Sequence, residues 1–404
     1  MSPEVRTNMK LTPYRQALGL PGIRPLLLIA VLARVPVTAA GITLTLHVVL
    51  DLERGYAAAG LVGGAMTVGT AIGAPLLGRL VDRHGLRPVI AVTTVAEAIF
   101  WAVAQALPYP VLLVAAFFGG LLTLPVFSVV RQSIAALAPE AHRRPAYALD
   151  SMSVELSFMI GPALAVFLST ALSPRVTMLA VGSGIVLSGI TLFLFNPPVR
   201  TAAEKATAAA PVRRREWLTP RLVGVLAVSA AATLVLGGTD VAVVAVLRES
   251  GQVAWTGLVL AVWAAYSLVG GFAYGSASRP VPPVGLMGAL ALCTIPVGLG
   301  GGQWWLLAIA LLPAGALCAP TIAATADAVS RLAPASARGE AMGLHGSAMT
   351  VGIALGAPLA GAVIDASSPA WGFAATGAVG ALVALLALPA GLRRRRAPLV
   401  PVEV

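Results

Sequence analysis

Four of the ionisable residues within long apolar runs are candidates for chemistry, because such side chains are costly there. Arg34, Glu97 and Glu155 are deep inside runs of the first half of the chain, and Asp240 lies toward the outer end of a run in the second half. An ionisable group in such surroundings is a functional candidate by default. A carboxylate there can be protonated in one environment and ionised, or paired with a cation, in another. We therefore predict that Glu155 carries protons, with Arg34, Glu97 and Asp240 as further candidates for that coupling.

These charges also allow a purely structural interpretation. Arg34 paired with Glu155, or with Glu97, would form a static ion pair that only fixes helix packing. Because the second half has no ionisable residue at mid-depth, we expect it to supply mainly an apolar wall.

No other pattern of reactive residues stands out. Cys293 and Cys318 lie inside apolar runs and resemble small hydrophobic residues, and the four histidines are scattered. The glycine-rich segment 60–64 lacks the Lys-Ser/Thr of a phosphate-binding loop. We expect no metal, no cofactor and no enzymatic activity, so a proton gradient is the expected energy source.

The composition points to the lipid bilayer. Of 404 residues, 58% are hydrophobic and 11% are charged, with a mean hydropathy of +0.89, whereas soluble domains have about 45–50% apolar and about 25% charged residues. A membrane-spanning helix needs about 20 mostly apolar residues. The candidate spans are 25–50, 56–78, 88–107, 111–135, 147–171, 175–196, 220–247, 254–275, 283–301, 304–328, 341–364 and 370–391.

The basic residues predict an orientation. If the N-terminus is cytoplasmic, nearly all of the 27 Lys and Arg residues fall on the inner side, as the positive-inside rule requires. The exceptions are Arg54, Arg175, Arg248 and, within a span, Arg34. One helix more or fewer would destroy this bias. We expect both termini in the cytoplasm and basic clusters that meet lipid, not nucleic acid.

The chain contains two related halves. A shift of 195 residues places Arg143 on Arg338 and Gly161 on Gly356. Such repeats are typical of transporters that bind substrate between two bundles. We predict a cytoplasmic segment at 1–24, a six-helix bundle at 25–196, a cytoplasmic linker at 197–219, a second six-helix bundle at 220–391 and a basic tail at 392–404.

The segment after the second run carries the most specific motif. It reads GRLVDRHGLR from Gly78 to Arg87 and resembles the cytoplasmic loop signature G-x-L-x-D-R-x-G-R-R/K of the major facilitator superfamily, with Leu86 in place of a basic residue. The resemblance covers essentially the whole chain. It implies an all-α polytopic membrane protein, with twelve transmembrane helices in two pseudo-symmetric six-helix bundles.

The same segment predicts a latch on the cytoplasmic side. Gly78 and Gly85 permit close helix approach and a tight turn. Asp82 can sit against the N-terminus of the eleventh span, near residues 339–341, and Arg83 can pair with a carboxylate across the bundle. The other residues that we assign to this cytoplasmic gate and loop motif are Arg87, Arg131, Asp150, Asp327, Arg331 and Arg338. Among them, Asp150 lies about one turn into the fifth span near Arg131, Arg143 and Arg144, and Asp327 and Arg331 are spaced to pair on one helix face.

The fifth span carries a partial second motif. Gly161-Pro162 resembles the core of the family's antiporter motif, although Ser157, Ala165 and Val166 replace glycines. Its small-residue face predicts tight packing against a helix of the other half. Phe127, Trp263 and Tyr266 are candidates for the lining of a cavity, with contact to lipid or core as the alternative.

Three functions remain open at this stage. The resemblance and the few amides in the spans favour a bacterial, drug-efflux-like exporter that exchanges protons for apolar or amphipathic small molecules such as drugs. A proton-coupled importer of a sugar, an amino acid or another metabolite is the alternative, and a membrane receptor that has lost transport is the third. The expected location is the inner cell membrane, as a monomer with lipid, protons and substrate as its only partners.

Overall fold

The computed structural model describes residues 11–206, 212–277, 281–300 and 302–392, and the helices within them include twelve that are long and apolar enough to cross a membrane. No strand occurs in these ranges. We number the spans in chain order: Ile23–Asp51, Tyr56–His84, Leu86–Ala104, Tyr109–Leu137, Glu140–Ala171, Pro174–Phe195, Pro220–Glu249, Val253–Ser276, Pro283–Gly300, Trp304–Leu332, Ala335–Ala366 and Pro369–Pro389. Short helices at Thr12–Gly19, Ala202–Ala206 and Arg214–Trp217 precede the first span or lie between spans 6 and 7.

Several spans are longer than their apolar runs, and the additional helical turns project at one end of the bundle. We call this end, where the even-numbered spans finish, the basic face, and the other end the opposite face. Span 2 continues to His84, so most of the predicted loop motif is helical, and Gly85 (φ 83°) alone separates it from span 3. Span 5 begins at Glu140, not 147, which puts Asp150 almost three turns inside it, not one. The predicted tail lies outside the described residues beyond Leu392.

The two halves repeat one packing arrangement. Gly161 of span 5 lies against the backbone of Val35 and the side chain of Thr38 in span 1, and Gly356 of span 11 lies against the Leu234 backbone in span 7. At both positions a Cβ atom would overlap the neighbouring helix. The prediction that Gly161 packs against the other half is therefore wrong: the small residue brings together two helices of the same half.

Span 4 is interrupted within the membrane. Its helix stops at Leu121 and restarts at Val126, after a non-helical Leu122–Pro125 segment. Span 10, its counterpart in the second half, is helical from Trp304 to Leu332 despite Pro313 and Pro320. Irregular backbone at membrane depth is tolerated where it is buried in protein or lines a cavity.

Candidate functional site

The two halves are held together at the basic face by the contact that the motif predicts. Asp82 accepts hydrogen bonds from the backbone N–H groups of Gly339 and Glu340, each at 2.9 Å. Gly78 makes this approach possible, because its Cα lies against the Gly339 carbonyl, where a Cβ would not fit. A carboxylate at these N–H groups, in the first turn of the Arg338–Ala366 helix, also interacts favourably with the helix dipole. We call this contact the latch.

Charged side chains surround the latch. Glu340 pairs with Arg214 of the segment between spans 6 and 7 (residues 196–219), which we call the interbundle segment, and lies 3.9 Å from Arg79. Arg338 donates to Glu204 at 2.8 Å. Burial raises the pKa of Glu204, but the hydrogen bonds from Arg338 and Thr201 outweigh it and hold that pKa below its usual value. The interbundle segment is thus tied to the start of span 11.

Among the described residues, two arginines of the motif form no ion pair between the halves, contrary to the prediction for Arg83. Arg83 is exposed and has no ion pair among the residues that the structure describes. Arg87 donates to the Phe193 carbonyl at 3.3 Å and lies over the Phe193 ring, so it contacts span 6 of its own half. The latch therefore depends on Asp82 and the glycines.

A second ionic contact joins the halves at the basic face. Asp327 and Arg331 pair at 2.7 Å within span 10, as their spacing predicts. Arg331 also reaches Glu140 at the start of span 5, at 2.9 Å.

The helix before span 1 adds a further contact between halves. Tyr14 stacks on Phe272 of span 8, with ring centroids 4.7 Å apart, and its hydroxyl donates to the Gly271 and Phe272 carbonyls. Burial raises the pKa of Tyr14 to about 12, so the hydroxyl remains a donor at neutral pH.

Arg34 has a different partner from either of those predicted. It pairs with Asp150 at 2.6 Å and donates to Ser153 at 2.7 Å, not to Glu155 or Glu97. Asp150 also pairs with Arg131 at 3.2 Å. Arg34, Asp150 and Arg131 are all buried, and we call them the buried triad. Of the arginines expected near Asp150, Arg131 alone contacts it.

The other two arginines expected there bind backbone carbonyls. Arg143 donates to the Ala135 and Ala138 carbonyls, and Arg144 donates to the carbonyl of Ala277, the residue after span 8. Both therefore stabilise helix ends at the basic face.

His345 of span 11 completes the surroundings of Arg131. The Arg131 guanidinium donates to His345 Nδ1 at 3.0 Å, and His345 Nε2 lies 3.0 Å from the Thr325 hydroxyl. Because a guanidinium only donates, Nδ1 must accept, so the imidazole is neutral with its proton on Nε2. The triad of the first half thus contacts span 11 of the second, and His345 links it to span 10.

Glu155 lies on a cavity between the halves. Ser267 of span 8 donates to its carboxylate at 3.0 Å and accepts from the Ala319 N–H of span 10 at 3.1 Å. The cavity has a volume of about 560 Å³ and lies between span 5 and spans 7, 8, 10 and 11. We call it the central cavity; its walls include Phe158, Asp240, Trp263, Cys318, Met349 and Ile353.

Asp240 lines this same cavity from span 7 and is exposed. The second half supplies a mainly apolar wall, as expected, but Asp240, Ser267 and Thr233 also line the cavity from that side. One carboxylate from each half thus lines a single chamber, an arrangement that no local sequence pattern reveals.

Three other candidates have different surroundings. Glu97 accepts from Trp101 Nε1 at 2.8 Å and from Thr123 at 2.7 Å, contacts within the first half that hold the break in span 4. Trp263 lines the central cavity, as predicted. Tyr266 is not among the residues that line it, and its side chain packs against Gly315 of span 10.

Phe127 lies 5.0 Å from the Arg34 guanidinium, and it lines a smaller chamber of about 130 Å³. We call this the side cavity. Val154, Phe158, Met349 and Ile353 line both chambers, so the side cavity adjoins the central one.

The comparisons with known proteins agree with this architecture. The family model described as the Major Facilitator Superfamily matches residues 26–300 and 277–403. The chain belongs to the major facilitator superfamily. No curated protein sequence matches it significantly.

Solved structures share the fold at low sequence identity. The human organic anion transporter MFSD10 (TETRAN) is 18% identical with a TM-score of 0.70, covering 91% of this chain and 100% of that one. A bacterial homologue of the iron transporter ferroportin in its outward-facing state is 14% identical with a TM-score of 0.71, covering 93% and 99%. The proton:xylose symporter XylE is 14% identical with a TM-score of 0.67, covering 91% and 95%. Membership of the major facilitator superfamily makes the chain a multi-pass membrane transporter and not an enzyme.

Proposed function

We propose that this transporter exports apolar or amphipathic small molecules in exchange for protons, by alternating access, across the inner membrane of a bacterial cell. The observation that carries the proposal is the central cavity, where Glu155 and Asp240 face one otherwise largely apolar chamber from opposite halves. Such a chamber suits amphipathic cargo, and carboxylates in it can exchange protons for that cargo.

The basic face is the cytoplasmic side in this proposal. The positive-inside rule supports that assignment, with both termini in the cytoplasm. The latch, the Arg331–Glu140 pair and the Tyr14 contacts then close the cytoplasmic side. The central cavity extends the other way, to Asp240 and to Gly257 at the start of span 8. The described conformation is therefore outward-facing, the state in which cargo leaves and protons enter.

Glu155 is the proposed proton carrier. It lies between the halves, and its partner Ser267 belongs to the half that moves relative to it. A hydroxyl can donate to the ionised carboxylate or accept from the protonated one. A tenfold difference in proton affinity between two conformations requires about 1.4 kcal/mol. Losing the Ser267 contact and changing the hydration of the cavity when the halves rock can supply this difference.

Transport by purified protein in liposomes tests the proposal. We expect amphipathic compounds to accumulate in vesicles with an acidic lumen, because efflux of protons drives their uptake, and not in vesicles with an alkaline lumen. Protein-free vesicles control for passive trapping of weak bases. Accumulation of a sugar or an amino acid with an alkaline lumen would instead establish proton-coupled import, and no transport of any compound would contradict both.

Glu155→Gln is the informative variant in this assay. It preserves the shape of the side chain but cannot exchange a proton, so accumulation should be lost. Glu216→Gln is the matched control, since Glu216 is exposed at the basic face and does not line the central cavity. The control should transport like the wild type.

A further inference from the structure

The buried triad carries an unbalanced charge. Arg34 is 0% exposed, Asp150 0% and Arg131 1%, and both guanidiniums share the one carboxylate. Among the described residues, no other carboxylate lies within ion-pair distance of either arginine. The adjacent His345 adds no charge, because its Nδ1 accepts from Arg131 and the ring is therefore neutral. One positive charge is therefore uncompensated inside the membrane, where buried charges are normally paired.

The donors of this cluster are not all used. Arg131 Nη2 and Arg34 Nε are buried and have no acceptor among the described residues. Among the described residues, the Arg131 guanidinium donates only to Asp150, the His345 ring and the Met349 sulfur, the last at 3.3 Å. A fully buried guanidinium with a free N–H group calls for a further acceptor.

Arg131 lines the side cavity, and the break in span 4 brings further donors there. The helix that restarts at Val126 begins at the wall of this chamber. The first-turn N–H groups of Phe127 and Ser128 have no acceptor among the described residues. Interrupted membrane helices commonly direct such N-termini at anionic groups. Thr123, Ser128 and Thr350 also line the chamber, but their hydroxyls already donate to Glu97 and to the Pro125 and Gly346 carbonyls.

We propose that the side cavity binds one singly charged anionic group, held by Arg131 and by the first turn of the Val126–Leu137 helix. The bound charge neutralises the buried triad. A free halide and the carboxylate of an organic ligand offer the same chemistry, and the side cavity adjoins the central cavity, from which either can enter. The site is independent of the proton-coupled export proposed above, since a bound anion at Arg131 leaves Glu155 available.

The unfolding temperature of the purified full-length protein tests the proposal. Sodium gluconate is replaced by sodium bromide at constant ionic strength, and in a separate arm 1-naphthaleneacetate is compared with its neutral amide. A saturable rise with bromide identifies a free anion. A rise with the carboxylate, but not with bromide or the amide, identifies the anionic group of an organic ligand. No rise with either anion overturns the proposal.

Two variants place the effect at the triad. Arg131→Met leaves a neutral Arg34–Asp150 pair and should weaken anion binding at least about tenfold. Arg24→Met, which removes an exposed charge near the same face, should bind like the wild type. Equal responses of Arg131→Met and the wild type would overturn the proposal.

Two further measurements do not depend on the folding of Arg131→Met. Asp150→Asn raises the charge of the cluster and should enlarge the anion-dependent rise; a smaller or unchanged rise contradicts the proposal. If bromide raises the unfolding temperature, crystals soaked in bromide should show anomalous density within hydrogen-bonding distance of Arg131 Nη2. Density at other positions alone would refute this location.

Discussion

Replacing Asp82 with asparagine should open the basic face. The carboxylate accepts from two backbone N–H groups at 2.9 Å and from Gln132 at 3.1 Å. Arg200 donates to the Asp82 backbone carbonyl at 2.7 Å, a contact that the substitution leaves in place. Asparagine has one carbonyl acceptor, and its NH₂ group would face one of the two backbone N–H donors. It also removes the negative charge from the start of span 11.

The size of the effect follows from these contacts. A charge near a helix N-terminus contributes about 0.3–1 kcal/mol when exposed and up to about 2 kcal/mol when partly buried, as Asp82 is. A loss of about 1–2 kcal/mol changes a two-state ratio by a factor of about 5–30. If the two conformations are close in free energy, this shift moves most molecules out of the described state.

Spin-label distances across the basic face measure this shift. Labels at His84 and Val281, exposed positions in different halves, are introduced after both native cysteines are replaced. We expect a longer-distance population in Asp82→Asn and not in Asp365→Asn, which removes an exposed carboxylate at the opposite face. Identical distance distributions for Asp82→Asn and the wild type would refute the role of the latch.

Three other predictions concern the same face. Gly78→Ala should also populate the longer distance, because its Cβ overlaps the Gly339 carbonyl; a wild-type distance would contradict the close approach. The hydrogen bonds from Arg338 lower the pKa of Glu204, so their stabilisation is present above about pH 4.5 and is lost as the pH falls below that value. Below about pH 4.5, the unfolding temperature should therefore fall less steeply with pH in Glu204→Gln than in the wild type. A single cysteine at Ala141 should react with an impermeant maleimide only from the cytoplasmic side, and labelling from outside would reverse the proposed orientation.

Local patterns in the sequence were enough for the spans and for the latch. The apolar runs are long and separated by proline or glycine, so the number of helices follows from length and hydropathy. Asp82 could be placed against span 11 because the whole segment from Gly78 to Arg87 resembles a known signature, and the contact with Gly339 confirms that placement. The same signature also suggested an ion pair for Arg83, which is exposed instead.

Partners between distant helices could not be predicted in the same way. Hydropathy placed the start of span 5 at 147, yet the helix begins at Glu140, so Asp150 lies deeper and meets Arg34. The rotation of span 5 decides whether Asp150 or Glu155 faces span 1, and neighbouring helices fix that rotation. For the same reason, no run of residues indicates that Asp240 shares a cavity with Glu155. Pro125 was the one visible sign of the break in span 4.

The central claim is that Glu155 couples substrate movement to proton movement. The most direct measurement follows protons with a pH-sensitive dye inside vesicles while a substrate gradient is imposed and no pH gradient is present. The account predicts that substrate entering the wild-type vesicles drives protons out, and that Glu155→Gln exchanges labelled for unlabelled substrate without any proton movement. Proton movement in Glu155→Gln equal to that of the wild type would contradict the account.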